Sequence, residues 1–348
     1  MNKLVFSDRL LNWFDQYGRK DLPWQQQPTP YHVWLSEIML QQTQVNTVIP
    51  YYQKFTQRFS TISQLAQAPV DDVLALWTGL GYYARARNLH KAAKMMVESH
   101  QGQMPTSLEQ LIALPGIGRS TAGAIMALAH HQRFPILDGN VKRVFARYEA
   151  IEGWPGNKQI EDKLWLIAEH YLPQDRFANF IQAQMDLGAT LCTRSKPRCD
   201  SCPLNDDCQA YLENNTRAYP ASKPKKLIPT RQVDWIIART QNNEILLEQR
   251  PPSGIWGGLW SFPEQETAET ISSTCCQQLG IHVKSTRKLI TIRHVFSHFK
   301  LDIHPHEIEC DIEKNHISEN KNHAWYKISE ALQLGLPAPV KSLIESLQ

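Results

Sequence analysis

Apolar positions recur at helical spacing through roughly the first two-thirds of the chain and in short strand-like runs after it. From residue 6 to 17, Phe6, Leu10, Leu11, Trp13, Phe14 and Tyr17 make one broad apolar face, which predicts a helix. Residues 21–24 predict a turn. Residues 31–42 predict a strongly apolar helix interrupted by one carboxylate, Glu37, and residues 43–59 a further helix with aromatics. Leu111, Ile112 and Leu114 end a helix at Pro115 and Gly116; Ser120 and Thr121 start the next, which is small and apolar over 122–129. Helical patterning resumes over 157–191. A Pro- and Lys-rich linker follows at 220–229, and then the pattern changes to strands over 233–239, 244–250, 288–292 and 299–303. The expected architecture is an all-α domain over 1–225 and a smaller α+β domain over 230–348.

Composition changes this picture in three places. The 348 residues, 42% apolar, suffice for two cores. No apolar run is long enough for a membrane span and the N-terminus has no signal-peptide pattern, so the expectation is a cytoplasmic protein without a membrane partner. The net charge of +3 is uneven: residues 1–226 carry 25 Lys and Arg against 20 Asp and Glu, the remainder 12 against 14. The basic excess clusters at Arg85, Arg87, Lys91 and Lys94, and again at Lys142, Arg143 and Arg147. Four of the seven cysteines fall between 192 and 208, which argues for a metal site in a reducing compartment and against a secreted disulfide scaffold.

Candidate chemistry then attaches to particular stretches. The Leu-Pro-Gly-Ile-Gly turn, with Gly116 and Gly118 able to take positive φ, would present backbone N–H groups at a helix N-terminus, a seat for a phosphate. Beside such a seat the basic clusters add weight to a nucleic-acid partner, with Ser120, Arg85, Lys142 and Arg143 expected at DNA. Glu37, set among Val33, Trp34, Ile38 and Leu40, is expected to lie against protein. Desolvation there would hold a proton near neutrality for a general acid, unless the residue is a structural partner for an Arg. Gly79 and Gly81 make a turn that should expose Leu80 and Tyr82 beside the basic helix of Arg85, either as a wedge for a base stack or as ordinary core. Cys192, Cys199, Cys202 and Cys208 offer soft thiolates suited to zinc or to an iron–sulfur cluster, with Lys196 and Arg198 inside the loop presenting positive charge.

The hairpin at 114–118 with Asp138 some twenty residues on resembles the helix-hairpin-helix DNA glycosylase superfamily. With the four-Cys loop it is similar to the endonuclease III branch, and the remaining features narrow the resemblance to the MutY-type adenine DNA glycosylases. That resemblance implies one [4Fe–4S] cluster on Cys192, Cys199, Cys202 and Cys208, with a structural role. It further implies a double-stranded DNA partner carrying adenine opposite 8-oxoguanine or guanine, a monomer, and a nucleoid association if the source is bacterial.

Breaking an N-glycosidic bond places positive charge on the sugar and negative charge on the departing base, so a proton donor and a carboxylate are both needed. The resemblance assigns Glu37 to protonate the adenine, Asp138 to stabilise the sugar cation and Asn140 to hold that geometry. As the residue before a helix, Asp138 can also accept free N–H groups, which would favour its ionised form or serve only as a cap. The resemblance further places Trp24 in the base pocket, and Gln42 and Tyr82 in the duplex. Ser120 stands where strand-cutting relatives carry a Lys able to form a Schiff base, which predicts a monofunctional enzyme; Lys142 is expected at phosphate instead. In the second domain, residues 257–263 resemble the entry to a Nudix box. Its expected acids fall on Thr274, Gln277 and Gln278, so the domain is expected to bind without hydrolysing. The resemblance puts lesion recognition at Phe296, Ser297 and His298.

Overall fold

The computed structural model describes residues 3–26, 28–224, 228–265, 279–296, 298–312 and 322–348. The chain divides into two compact units, Met1–Gln67 with Asn88–Lys225, and Ala68–Arg87 with Lys226–Gln348. The helices are α1 (Lys3–Tyr17), α2 (Pro23–Gln26), α3 (Pro30–Leu40), α4 (Val45–Arg58), α5 (Ile62–Gln67), α6 (Val70–Trp77), α7 (Ala84–His100), α8 (Leu108–Ile112), α9 (Arg119–Leu128), α10 (Gly139–Tyr148), α11 (Lys158–Tyr171), α12 (Phe177–Thr190) and α13 (Gln209–Leu212). Two more, α14 (Ile328–Ala331) and α15 (Ala338–Ser346), follow the strands.

In the helical unit the apolar face of α1 becomes core. Phe6, Leu10, Leu11 and Phe14 are buried, and the Phe6 ring packs on Tyr171 (4.4 Å), Tyr148 (4.7 Å) and Phe145 (5.8 Å). Aromatic pairs at these spacings add about 0.5–1.5 kcal/mol each beyond the area they bury. Helix α3 starts cleanly because Thr29 caps His32 and Pro30 occupies the first turn, where it costs no hydrogen bond. Residues 21–24, expected as a turn, run into the short helix α2, with Trp24 buried against Tyr52 at 5.4 Å.

The second unit is an eight-stranded sheet: β1 (Thr230–Arg239), β2 (Glu244–Gln249), β3 (Trp260–Ser261), β4 (Glu264–Gln265), β5 (Ile281–Lys288), β6 (Ile292–Val295), β7 (Lys300–Ile312) and β8 (His323–Lys327). Its spine runs β3-β2-β1-β7-β5, with β1 and β7 parallel and the other pairs antiparallel. The strand expected over 288–292 falls between β5 and β6, since residues 289–291 join the two. The unit differs from the expected 230–348 segment by taking in Ala68–Arg87. Leu74 of α6 lies so close to Gly335 that a Cβ there would sit 3.0 Å from the Leu74 Cβ, and Val73, Leu74 and Trp77 are buried. Residues 266–278, which hold Thr274, Gln277 and Gln278, lie outside the described residues.

Candidate active site

A cleft of about 1410 Å³ opens in the helical unit, lined among others by Glu37, Asp138, Asn140, Trp24 and Gln42. Glu37 reaches it from α3. Its residue keeps some exposure to the cleft, while burial, with the Asp138 charge second, raises the carboxyl to about pKa 8. No hydrogen-bonding or ion-pair partner of that carboxyl is present among the described residues, so nothing stabilises its ionised form. The expectation of a desolvated Glu37 agrees with this geometry.

Asp138 enters at the N-terminus of α10, where its side chain caps the helix: the Val141 N–H donates to Oδ1 at 2.7 Å and Asn140 Nδ2 donates to Oδ2 at 3.3 Å. These donors and Arg143 lower its pKa, but burial is the larger effect and the net direction is upward. The capping expected to leave Asp138 readily ionised is therefore present and is outweighed by desolvation. Asn140 is held from the other side by Arg143 Nη2 (2.9 Å), and Arg143 donates in turn to Gly188 O and Cys192 O, both at 2.7 Å. This approach of α12 to α10 requires Gly188, because a Cβ there would lie 2.6 Å from the Asn140 Cβ.

Ser120 Oγ accepts the Leu137 N–H at 3.0 Å, bracing the chain one residue before Asp138. In the hairpin, Gly116 has φ +80° whereas Gly118 has φ −91° and acts as the cap position of α9, so only the first glycine needs the left-handed region. Both are exposed while Ile117 between them is buried.

Three cationic residues expected at DNA turn inward. Lys142 pairs with Glu161 at 2.6 Å, Arg143 is engaged as above, and Arg85 is buried, donating to Leu80 O and Gly81 O at 3.1 Å each. Leu80, expected to be exposed, is buried at 5% exposure, and Tyr82 alone protrudes at 53%. Gln42 (φ 58°) and Tyr82 (φ 50°) both hold left-handed backbone that non-glycine residues seldom adopt, a cost of about 1–3 kcal/mol that tends to persist at functional tips.

Sequence reading missed two residues of the cleft wall, Arg19 and Gln182. Both are fastened to the buried Asp186, which takes Arg19 through its backbone N–H (2.8 Å), Nε (2.9 Å) and Nη2 (2.6 Å), and Gln182 Nε2 (2.9 Å). No local sequence signal marked them, because the burial of Asp186 in α12 arises from contacts distant in sequence.

The four thiols Cys192, Cys199, Cys202 and Cys208 carry no disulfide and line one small pocket with Arg147, Leu191 and Tyr211. Four thiols without a disulfide are a donor set that an iron–sulfur cluster takes. Burial raises Cys202 to about 12 and Cys208 to about 11, so ligation releases protons. Arg147, buried at 3% exposure, donates to Cys192 Sγ (3.3 Å), Thr193 O (2.7 Å), Arg194 O (3.0 Å), Thr216 O (3.1 Å) and Tyr219 O (3.0 Å).

In the sheet unit, Phe296 is half-buried and stacks on Phe299 at 4.5 Å, with Trp256 at 5.2 Å and His298 at 6.3 Å. Ser297 lies outside the described residues.

These features have counterparts among known proteins. A model of the HhH-GPD superfamily base excision DNA repair protein matches residues 35–170, one of the iron-sulfur binding domain of endonuclease III matches 192–208, and a NUDIX domain model matches 234–346. An adenine DNA glycosylase of Buchnera aphidicola subsp. Schizaphis graminum is 43% identical over 346 residues, covering 99% of either chain. The chain belongs to the adenine DNA glycosylase family. The Homo sapiens adenine DNA glycosylase is 34% identical over 358 residues, spanning 85% of this chain and 65% of its own. Among solved structures, a thermostable thymine-DNA glycosylase matches 61% of this chain and 97% of its own at 26% identity and TM-score 0.55. A non-covalent endonuclease III–DNA complex matches 62% and 98% at 19% identity and TM-score 0.53, a likeness of fold. As an adenine DNA glycosylase this protein is a DNA N-glycosylase of base excision repair, with a [4Fe–4S] cluster in the loop at 192–208 and a Nudix-like second domain. Among the described residues no helix is long and apolar enough to cross a membrane.

Proposed function

We propose that this adenine DNA glycosylase acts as a monomer on double-stranded DNA, hydrolysing the N-glycosidic bond of adenine mispaired with 8-oxoguanine or guanine and leaving the strand intact. One observation carries the reading: two carboxyl groups open on the same cleft with opposite surroundings. Glu37, without donors and with its proton held up to about pKa 8, is the general acid for the departing adenine. Asp138, capped by Val141 N–H and held by Asn140, is the one of the pair that ionises and faces the sugar cation. Arg19, Gln182 and Trp24 shape the wall against which the flipped base rests, offsetting an unstacking cost of about a few kcal/mol.

The hairpin glycines Gly116 and Gly118 leave backbone N–H groups open to a DNA phosphate, and Gln42 and Tyr82 enter the duplex. Leu80, Arg85, Lys142 and Arg143 serve by supporting these elements, since their side chains are buried or engaged by protein groups. Phe296 with His298, and Ser297 between them, read the oxidised guanine. Held by Cys192, Cys199, Cys202 and Cys208, the cluster would cross-link an otherwise loop-like segment.

The reading is tested by a single-turnover assay on duplex DNA with adenine opposite 8-oxoguanine, scoring free adenine and strand breaks separately. Free adenine with breaks only after alkali is the expected result. Breaks without alkali would show a glycosylase/lyase, against which Ser120 already argues because its hydroxyl cannot form an imine. Lesion binding with no adenine release would leave a non-catalytic mispair sensor.

A further inference from the structure

The turn that carries Tyr82 is assembled with the sheet unit. Helix α6 buries Val73, Leu74 and Trp77, and Leu74 touches the chain at Gly335 and Gly258, where added Cβ atoms would fall 3.0 and 3.5 Å from its side chain. Asp71 Oδ1 accepts Gln249 Nε2 at 3.1 Å. Tyr83, buried at 8% exposure, donates its hydroxyl to Leu336 O at 3.0 Å and accepts the Gly79 N–H at 3.4 Å. Arg87 donates to Gly257 O.

Within the turn, Trp77 Nε1 donates to Gly81 O at 3.2 Å, and Arg85 holds the Leu80 and Gly81 carbonyls while lying over the Trp77 and Tyr82 rings at 5.4 and 5.6 Å. These polar groups holding residues 79–81 belong to the same unit as β1–β8, and one of them, the Tyr83 hydroxyl, bonds the turn and the chain after α14 together. A left-handed residue such as Tyr82 persists only where its neighbours over-determine it. Here the over-determination reaches back to Gly257 and Leu336.

We propose that Tyr83 and Arg87 are positioning residues, which set the Tyr82 turn from the Nudix-like chain so that stack insertion and reading of the opposite base are delivered by one body. The proposal rests on Tyr82 being an inserting residue. It makes specificity for the base opposite adenine depend on residues that touch neither the base nor DNA.

The test is a double-mutant cycle in the full-length, cluster-loaded protein, with Tyr83→Phe and Arg87→Met each made alone and with Tyr82→Ala. Two quantities are read: affinity for a duplex with adenine opposite 8-oxoguanine relative to a matched duplex, and fluorescence of 2-aminopurine placed beside the lesion. Alone, each variant is expected to reduce the affinity ratio about fivefold, the loss of one hydrogen bond, and to reduce the fluorescence change on binding. In the Tyr82→Ala background both effects should disappear, and Arg87→Lys should restore most of the Arg87→Met loss. Undiminished effects on the Tyr82→Ala background, or none in the wild type, would overturn the proposal while leaving insertion by Tyr82 intact. Tyr82→Ala that alters neither quantity would instead overturn the insertion reading. Tyr83→Phe removes a single oxygen, so it keeps the test open should Arg87→Met fail to fold.

Discussion

Glu37 and Asp138 look onto one cleft from α3 and from the start of α10, yet the chain surrounds them differently. On the α3 side burial and the Asp138 charge act on the carboxyl and no donor reaches it among the described residues; on the α10 side a backbone N–H, an amide and a guanidinium act on Asp138. Burial raises both carboxyl groups, but only on the α10 wall do donors and a guanidinium work against it. On the proposed mechanism one carboxyl group is then the proton donor and the other faces the sugar cation, a difference set by surroundings and not by residue type.

The largest effects should come from erasing that difference. Asp138→Asn and Glu37→Gln are each expected to slow adenine release by about 10²–10⁴-fold in single turnover, the usual reach of a positioned acid or charge. Affinity for the lesion duplex should remain. A variant that keeps its rate would remove that residue from the chemistry.

The pH profile comes next. On the proposed mechanism adenine release needs the Glu37 proton, so the rate should fall as pH rises through about 8. It needs Asp138 ionised, so the rate should also fall on the acid side, giving a bell whose limbs belong to the coupled pair. Stability carries a matching signature. Glu37 binds its proton more tightly folded than unfolded, so its contribution is full below its ordinary pKa of 4.5 and is lost as pH rises through about 8. Glu37→Gln should therefore melt higher than the wild type at pH 9 and show no such gain at pH 4. Equal melting shifts at both would contradict the burial argument.

Gly188→Ala should act at smaller scale and on one wall only. Its Cβ must displace Asn140, which should lower the rate by about tenfold, a loss of one hydrogen bond's worth of alignment. Smallest of all, Ser120→Ala removes the acceptor of the Leu137 N–H at a cost of about 1–3 kcal/mol in stability, leaving Asp138 capped and most activity in place. Strand cleavage should stay absent in that variant.

How far these surroundings were legible in the sequence follows from how local each one is. A lone carboxylate in an apolar helix marked Glu37, and its place before a helix marked Asp138, because burial and capping are short-range consequences of neighbouring residues. The four-Cys loop announced itself by spacing. Arg19 and Gln182 gave no such sign: what brings them to the cleft is the buried Asp186, 167 residues from Arg19. The inward turn of Arg85, Lys142 and Arg143 was equally hidden, since a basic run reads alike whether its partners are phosphates or the protein's own carbonyls and carboxylates. Leu80 was misjudged for a related reason. Two glycines mark a turn but not which of its residues faces out, and that choice was made by the carbonyl contacts of Arg85 and Trp77.

Arg147 leaves a last consequence. Its guanidinium lies almost wholly inside the protein with four carbonyl oxygens and one sulfur around it, and no carboxylate is among those contacts. Carbonyl dipoles soften a buried positive charge but do not neutralise it. With the cluster bound, its thiolates would set negative charge beside the guanidinium, Cys192 Sγ at 3.3 Å among them. Cluster and arginine would then act as counter-ions, each easing the other's burial.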